Sequence, residues 1–177
     1  MSHPSFMVQP FTIQPLRSSI ALEAAVQLFQ AYADSLDVDL AYQDFATELS
    51  TLPGKYAPPD GELLLAWDWA GQALGCVALR PLSVPGVCEM KRLYVLPPAR
   101  GLGVGQALIK AIIQQARRMG YHRMCLDTLP SMARAIALYQ KLGFVSIAPH
   151  YDSPVSDTLF LGLELDETSL REGCIYE

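Results

Sequence analysis

Residues 88–120, CEMKRLYVLPPARGLGVGQALIKAIIQQARRMG, decide how the rest of the chain is read. The stretch opens as an apolar strand over residues 88–95, breaks at Pro97-Pro98 and resumes as a helix, with Val104, Ala107, Leu108, Ala111, Ile112 and Ala116 recurring along one face. Gly120 stands just past the last periodic residue, where a left-handed cap commonly closes a helix. Between strand and helix lies Arg100-Gly101-Leu102-Gly103-Val104-Gly105. Free N–H groups and the helix dipole favour an anion at such a place. Glycines let the backbone approach it with no Cβ in the way, and Arg100 adds a cation. Phosphate is the natural ligand.

Spacing narrows the choice of phosphate ligand. A P-loop requires Gly-Lys followed by Ser or Thr, whereas Gln106 and Ala107 follow Gly105. A dinucleotide fingerprint needs a small residue where Gln106 stands and usually opens the first βα unit, whereas four expected strands precede this loop.

Upstream, residues 11–17 alternate as a strand, and Ile20, Ala24, Leu28, Phe29 and Tyr32 recur at helical spacing. Residues 39–49 suggest a shorter helix, and TLPGKYAPPDGE at residues 51–62 reads as a loop. Residues 63–69 and 74–82 form an expected hairpin, and the Pro85-Gly86 turn leads into the strand at residues 88–95. Downstream come a strand at residues 122–129, a helix at 131–142 closed by Gly143, and strands at 144–147 and 158–165. This order predicts an α+β fold in three layers, with a mixed, mostly antiparallel central sheet flanked by helices. Residues 1–177 are expected to form a single domain with a core at about 10–166.

Composition excludes several classes. The formal charge of −5, with 13 Lys and Arg, provides no broad basic surface for nucleic acid or an anionic membrane. The four cysteines show no CxxC pair and no His at ligand spacing, so they read as reduced thiols, and no metal is expected. MSHPSFMVQP lacks the pattern of a secretory signal, and no run of 18 apolar residues occurs, which points to the cytoplasm.

The loop, with CEMKRLYVLPPARG before it and LDTLPSMARAIALYQKLGF after it, resembles the GNAT superfamily of N-acetyltransferases, covering about a third of the chain. The family motif is Gln or Arg, two residues, Gly, one residue, then Gly or Ala, which Arg100, Gly103 and Gly105 match. The resemblance implies an acyl-CoA N-acyltransferase fold that binds acetyl-CoA as cosubstrate. It implies a pyrophosphate on the amides of Gly101, Leu102, Gly103, Val104, Gly105 and Gln106, and a pantetheine arm along Leu93, Tyr94 and Val95. The Val95 amide would hold the thioester carbonyl. In many members Asn stands seven residues before the family's tyrosine; here that residue is Met132.

The implied reaction passes acetyl to an uncharged amine and needs a proton donor for the leaving thiolate. Tyr139, in ALYQKLGF, holds the family's donor position. For the base, Glu89 is favoured, on a strand among apolar residues, while Asp127 is read first as a brace for the turn after it. His150, in PHYDSPVSD, is a candidate for binding the acceptor. The acceptor is expected between the helices at residues 19–50, the loop at 51–61 and the His150 loop, where Asp37, Asp39, Asp44 and Glu48 accompany Tyr32, Tyr42 and Tyr56. These residues suit a small cationic amine, and a loop at 51–61 that closes the groove favours a small molecule over a peptide. A protein or peptide acceptor, and a module that binds acyl-CoA without turnover, are the alternatives. The partners expected are acetyl-CoA, the amine and, as one arrangement, a second copy of the chain.

Overall fold

The computed structural model describes residues 10–166. A seven-stranded sheet in the order β1-β2-β3-β4-β5-β7-β6 forms the middle layer. Its strands are β1 (Phe11–Pro15), β2 (Glu62–Asp68), β3 (Ala73–Pro81), β4 (Val87–Val95), β5 (Arg123–Thr128), β6 (Val145–Ser146) and β7 (Leu159–Glu164). The helices are α1 (Ser19–Asp34), α2 (Phe45–Thr51), α3 (Val104–Arg118) and α4 (Ala133–Lys141). All neighbours pair antiparallel except β4 and β5. The mixed, three-layer α+β architecture is the one expected.

Alternation along the strands sends two sets of side chains to opposite faces. Leu64, Ala66, Val77, Leu79, Cys88 and Met90 pack with Leu108, Ile109 and Ile112 of α3. Leu63, Leu65, Cys76 and Ala78 pack with Ala25, Leu28 and Phe29 of α1. Each fully buried Leu or Ile contributes roughly 1.5–3 kcal/mol, so both faces hold their helices firmly. Ser18 starts α1 by accepting the Ala21 N–H at 3.1 Å, and Gly120 follows α3 at φ 87° as the sequence predicts.

Several boundaries differ from the expected ones. The helix expected at residues 39–49 is broken at Asp44, whose φ of 55° is left-handed. A 3-10 turn, Leu40–Gln43, precedes the break, with Asp39 accepting from the Ala41 N–H. The first strand stops at Pro15, and the expected strand at 144–147 shrinks to the two-residue edge strand β6.

β4 decides where the sheet opens. Between the pairs Cys76↔Tyr94 and Ala78↔Lys91, β4 carries one residue more than β3. Arg92, at φ 58°, lies in that bulge. β4 and β5 pair only through Val87↔Arg123, Cys88↔Met124 and Glu89↔Cys125 and then part.

Candidate active site

A cavity of about 500 Å³ runs between the end of β4, the start of α3 and α4. Helix α3 begins at Val104 with no side-chain cap, after Gly103 in left-handed backbone at φ 82°. The first bond reaching out of the helix is Ala107 N–H to Gly103 C=O at 3.1 Å. The N–H groups ahead of it are therefore the uncapped end of a helix dipole. A Cβ added at Gly101 or Gly103 would meet nothing within 4 Å. Backbone conformation, with φ 85° and 82°, is what calls for glycine at both positions.

Leu93, Tyr94, Val95, Arg100, Gly101, Gly103, Val104, Gly105 and Gln106 line this cavity, while Leu102, 52% exposed, is outside its wall. The Leu96 N–H donates to the Leu74 C=O on β3. Alternation then turns the N–H and C=O of Val95 to the other edge of β4, the edge that β5 leaves. Arg100 Nε takes that C=O at 3.0 Å, and its guanidinium lies 5.8 Å from the Tyr94 ring. The Val95 N–H faces the parted edge.

A smaller cavity of about 40 Å³ lies where β4 and β5 separate. Its wall includes Tyr32 of α1, Tyr42 and Gln43, Lys91 and Arg92 of β4, Asp127 of β5, and Tyr139 of α4. Leu93 and Met132 belong to both cavities, so the two meet there. Residues 51–61, expected to border the acceptor, are absent from this wall. That segment packs elsewhere, with Tyr56 only 1% exposed in the core beneath α1.

Tyr139 is 5% exposed, with its ring edge-on to Phe144 at 5.7 Å. Burial pushes its phenol above the ordinary range, and neighbouring Tyr32 and Asp127 push the same way. The hydroxyl is held protonated. Asp127 accepts from Tyr151 Oη at 2.8 Å and from Lys91 Nζ at 3.3 Å.

Glu89 is not brought to either cavity. It is 0% exposed, bonded to Arg80 Nε at 3.0 Å and His150 Nε2 at 2.5 Å, with Lys91 Nζ at 3.6 Å. Burial alone would raise its pKa, but the His150 hydrogen bond and the charges of Lys91 and Arg80 outweigh it and bring it to about 2. His150 likewise lines neither cavity: it rests edge-on to Phe160 at 5.2 Å and holds Glu89.

Sequence reasoning missed a second buried cluster. Glu48 pairs with Arg92 Nε at 2.7 Å and Lys55 Nζ at 3.0 Å, and accepts from the Tyr56 hydroxyl. Burial opposes its ionised form, yet Arg92 wins and its pKa falls. One signal was readable: two consecutive cations, Lys91-Arg92, inside an apolar strand disrupt alternation and mark a bulge. Of the acids expected near the acceptor, Asp39 caps a turn, Asp44 accepts from Thr47 and Glu48 pins α2 to β4.

Cys76, Cys88 and Cys125 are buried free thiols; Cys174 and His3 lie outside the described residues. Burial pushes Cys76 and Cys88 up to about 12, and none of the three lines either cavity. Among the described residues no three His, Cys, Asp or Glu side chains are grouped to hold a metal, and no helix is long and apolar enough to cross a membrane.

Comparison with known proteins adds to this geometry. The sequence profile of the acetyltransferase (GNAT) family matches residues 23–144. An uncharacterised N-acetyltransferase of Schizosaccharomyces pombe is 44% identical over 140 residues, covering 79% of this chain and 86% of that one. The crystal structure of a GNAT-family acetyltransferase from Staphylococcus aureus superposes with a TM-score of 0.74 at 18% identity, over 88% of this chain and 99% of that one. An acetyltransferase structure from Salmonella typhimurium, solved with its cofactor acetyl-CoA, gives a TM-score of 0.65 at 23% identity, over 93% and 99%.

Proposed function

This chain belongs to the acetyltransferase (GNAT) family, and we propose that it moves the acetyl group of acetyl-CoA directly to a primary amine on a small molecule. The observation that carries this reading is the meeting of two cavities at Leu93 and Met132. One has the dimensions and the uncapped helix start for a CoA, and the other has a protonated phenol in its wall.

In this reading the amides of Gly101, Leu102, Gly103, Val104, Gly105 and Gln106 hold the pyrophosphate, the cosubstrate arm runs along Leu93, Tyr94 and Val95, and Arg100 braces the loop. The Val95 N–H receives the thioester oxygen as charge develops on it. Acetyl-CoA as the donor is supported by the family and by the Salmonella typhimurium structure that carries it. The small cavity admits the acceptor's head group, since an enclosed space of about 40 Å³ leaves no room for a folded peptide segment.

The amine arrives as ammonium and gives a proton toward Asp127, the carboxylate in the cavity wall. Its lone pair forms the N–C bond, the C–S bond breaks, and Tyr139 donates its proton to the departing thiolate; the second proton that the nitrogen sheds as the amide forms restores the Tyr139 phenol, and the proton on Asp127 passes to solvent. Glu89 takes the part of a positioning residue: with a pKa of about 2 it has little affinity for a proton, and its charge fixes Lys91, which donates to Asp127, and His150, whose ring meets that of Tyr151. No cysteine intermediate is needed, and high thiol pKa values speak for direct transfer.

The test is thiol release from acetyl-CoA against a panel of amines, with mass spectrometry of product and protein. N-acetylated amine with unmodified protein is the expected result. An acetylated protein that forms without acceptor and then decays on adding one would overturn direct transfer.

A further inference from the structure

Arg92 is a cation committed only in part. It is 4% exposed, flanked by the rings of Tyr32 and Phe45 at 5.7 and 5.4 Å. Burial works against its charge, but Glu48 prevails and the guanidinium stays protonated. Nε serves Glu48 at 2.7 Å, while Nη2 has no hydrogen-bond partner among the described residues. The Tyr32 phenol lies beside the guanidinium, whose charge and long hydrogen bond both act on it, but among the described residues no acceptor stands within hydrogen-bond distance of Nη2. A buried donor left unmatched calls for an acceptor group from outside the chain. Lys91, by contrast, donates to Gln43 at 3.2 Å and Asp127 at 3.3 Å, and its charge is further met by Glu89 at 3.6 Å.

Arg92 and Asp127 stand in the wall of the same space of about 40 Å³. A ligand that answers both must carry its positive and negative groups on neighbouring atoms. We propose that the amine acceptor is an α-amino acid, with its ammonium toward Asp127 and its carboxylate toward Arg92. The guanidinium fork matches a carboxylate and offers nothing to an uncharged amine. The amino acid's side chain extends toward the cavity mouth, because the enclosed volume holds little beyond the head group. This assignment rests on the acetyl-transfer reading and specifies its substrate class.

The experiment uses the unmodified protein with acetyl-CoA and matched triads: an α-amino acid, the amine lacking its carboxylate, and its carboxamide. The amino acid is expected to exceed both others in kcat/KM by about 10²-fold or more, as a site built around a buried polar group rejects analogues that leave it unmatched. Equal or faster acetylation of the amine or the amide, with acetyl-CoA binding intact by calorimetry, overturns the α-amino acid assignment and leaves acetyl transfer standing. Acetyl-CoA binding with no amine acetylated overturns both, as does failure of acetyl-CoA to bind. In Arg92→Lys, the preference within each triad should shrink to a few-fold, through KM, with acetyl-CoA affinity unchanged. Should that variant not fold, the triads decide alone.

Discussion

Tyr139 on α4 and Asp127 on β5 face one small cavity, and the carboxylate's charge helps keep the phenol protonated. A phenol is a far weaker acid than a carboxyl group, so the two share a space without proton exchange, while Tyr151 and Lys91 hold the Asp127 carboxylate in place.

Tyr139→Phe removes the hydroxyl and keeps the ring against Phe144. Turnover should fall by about 10²- to 10⁴-fold, the usual contribution of a positioned proton donor. Acetyl-CoA affinity by calorimetry should be unchanged, and stability should shift by roughly 1 kcal/mol at most. A wild-type rate, with chemistry limiting, would remove Tyr139 from the mechanism.

Asp127→Asn and Glu89→Gln separate direct from indirect roles. In Asp127→Asn, kcat/KM should recover as pH rises and more of the acceptor amine is already neutral. In Glu89→Gln, that recovery should be absent. A recovering profile in Glu89→Gln would make Glu89 the base.

Gly103→Asn and Gly103→Asp test the anion site at constant shape. Asn tolerates left-handed backbone, and open space surrounds this position, so Gly103→Asn should bind acetyl-CoA within a few-fold of wild type. Gly103→Asp puts a like charge against the pyrophosphate and should bring binding below detection by calorimetry. Matching affinities in the two variants would place the phosphates elsewhere.

Acid should destabilise the protein through Glu89. Its carboxyl titrates near 4.5 when free and at about 2 in the fold, so the fold favours the ionised form. The stabilisation is complete above about pH 4.5 and is lost as pH falls toward 2. Glu89→Gln leaves Arg80 and Lys91 short of a partner and should cost about 3 kcal/mol at neutral pH. Denaturant melts in the variant should vary less between pH 4.5 and 2 than in wild type.

The thiols supply a last check on packing. Brief alkylation of native protein, followed by peptide mapping, should leave Cys76, Cys88 and Cys125 unmodified, since burial raises all three pKa values. Rapid labelling of Cys76, which is fully buried, would mean that the sheet opens readily.

The parts of this molecule legible in the sequence are those fixed by local rules. Helix α3 follows from its apolar stripe and Gly120, and the left-handed turn ahead of it from the glycines between a strand and a helix start. The surroundings of Glu89 were not legible, because an acid between Cys88 and Met90 reads alike whether it meets substrate or is walled in by Arg80 and His150, partners 9 and 61 residues away. The Glu48–Arg92 pair, 44 residues apart, was hidden for the same reason. Residues 51–61 read by composition as a loop bordering the acceptor, yet Tyr56 anchors them in the core.

The parting of β4 from β5 has a mechanical side. Three residue pairs join the strands, so the sheet is two panels meeting along a short seam, one carrying β1 to β4 and the other β5 to β7. The large cavity takes its walls from β4 on one panel and from α4, beside the other. Whatever fills it acts as a clasp across the seam. With acetyl-CoA as the occupant proposed above, the resistance of this protein to heat and proteolysis should rise with the cosubstrate concentration around it.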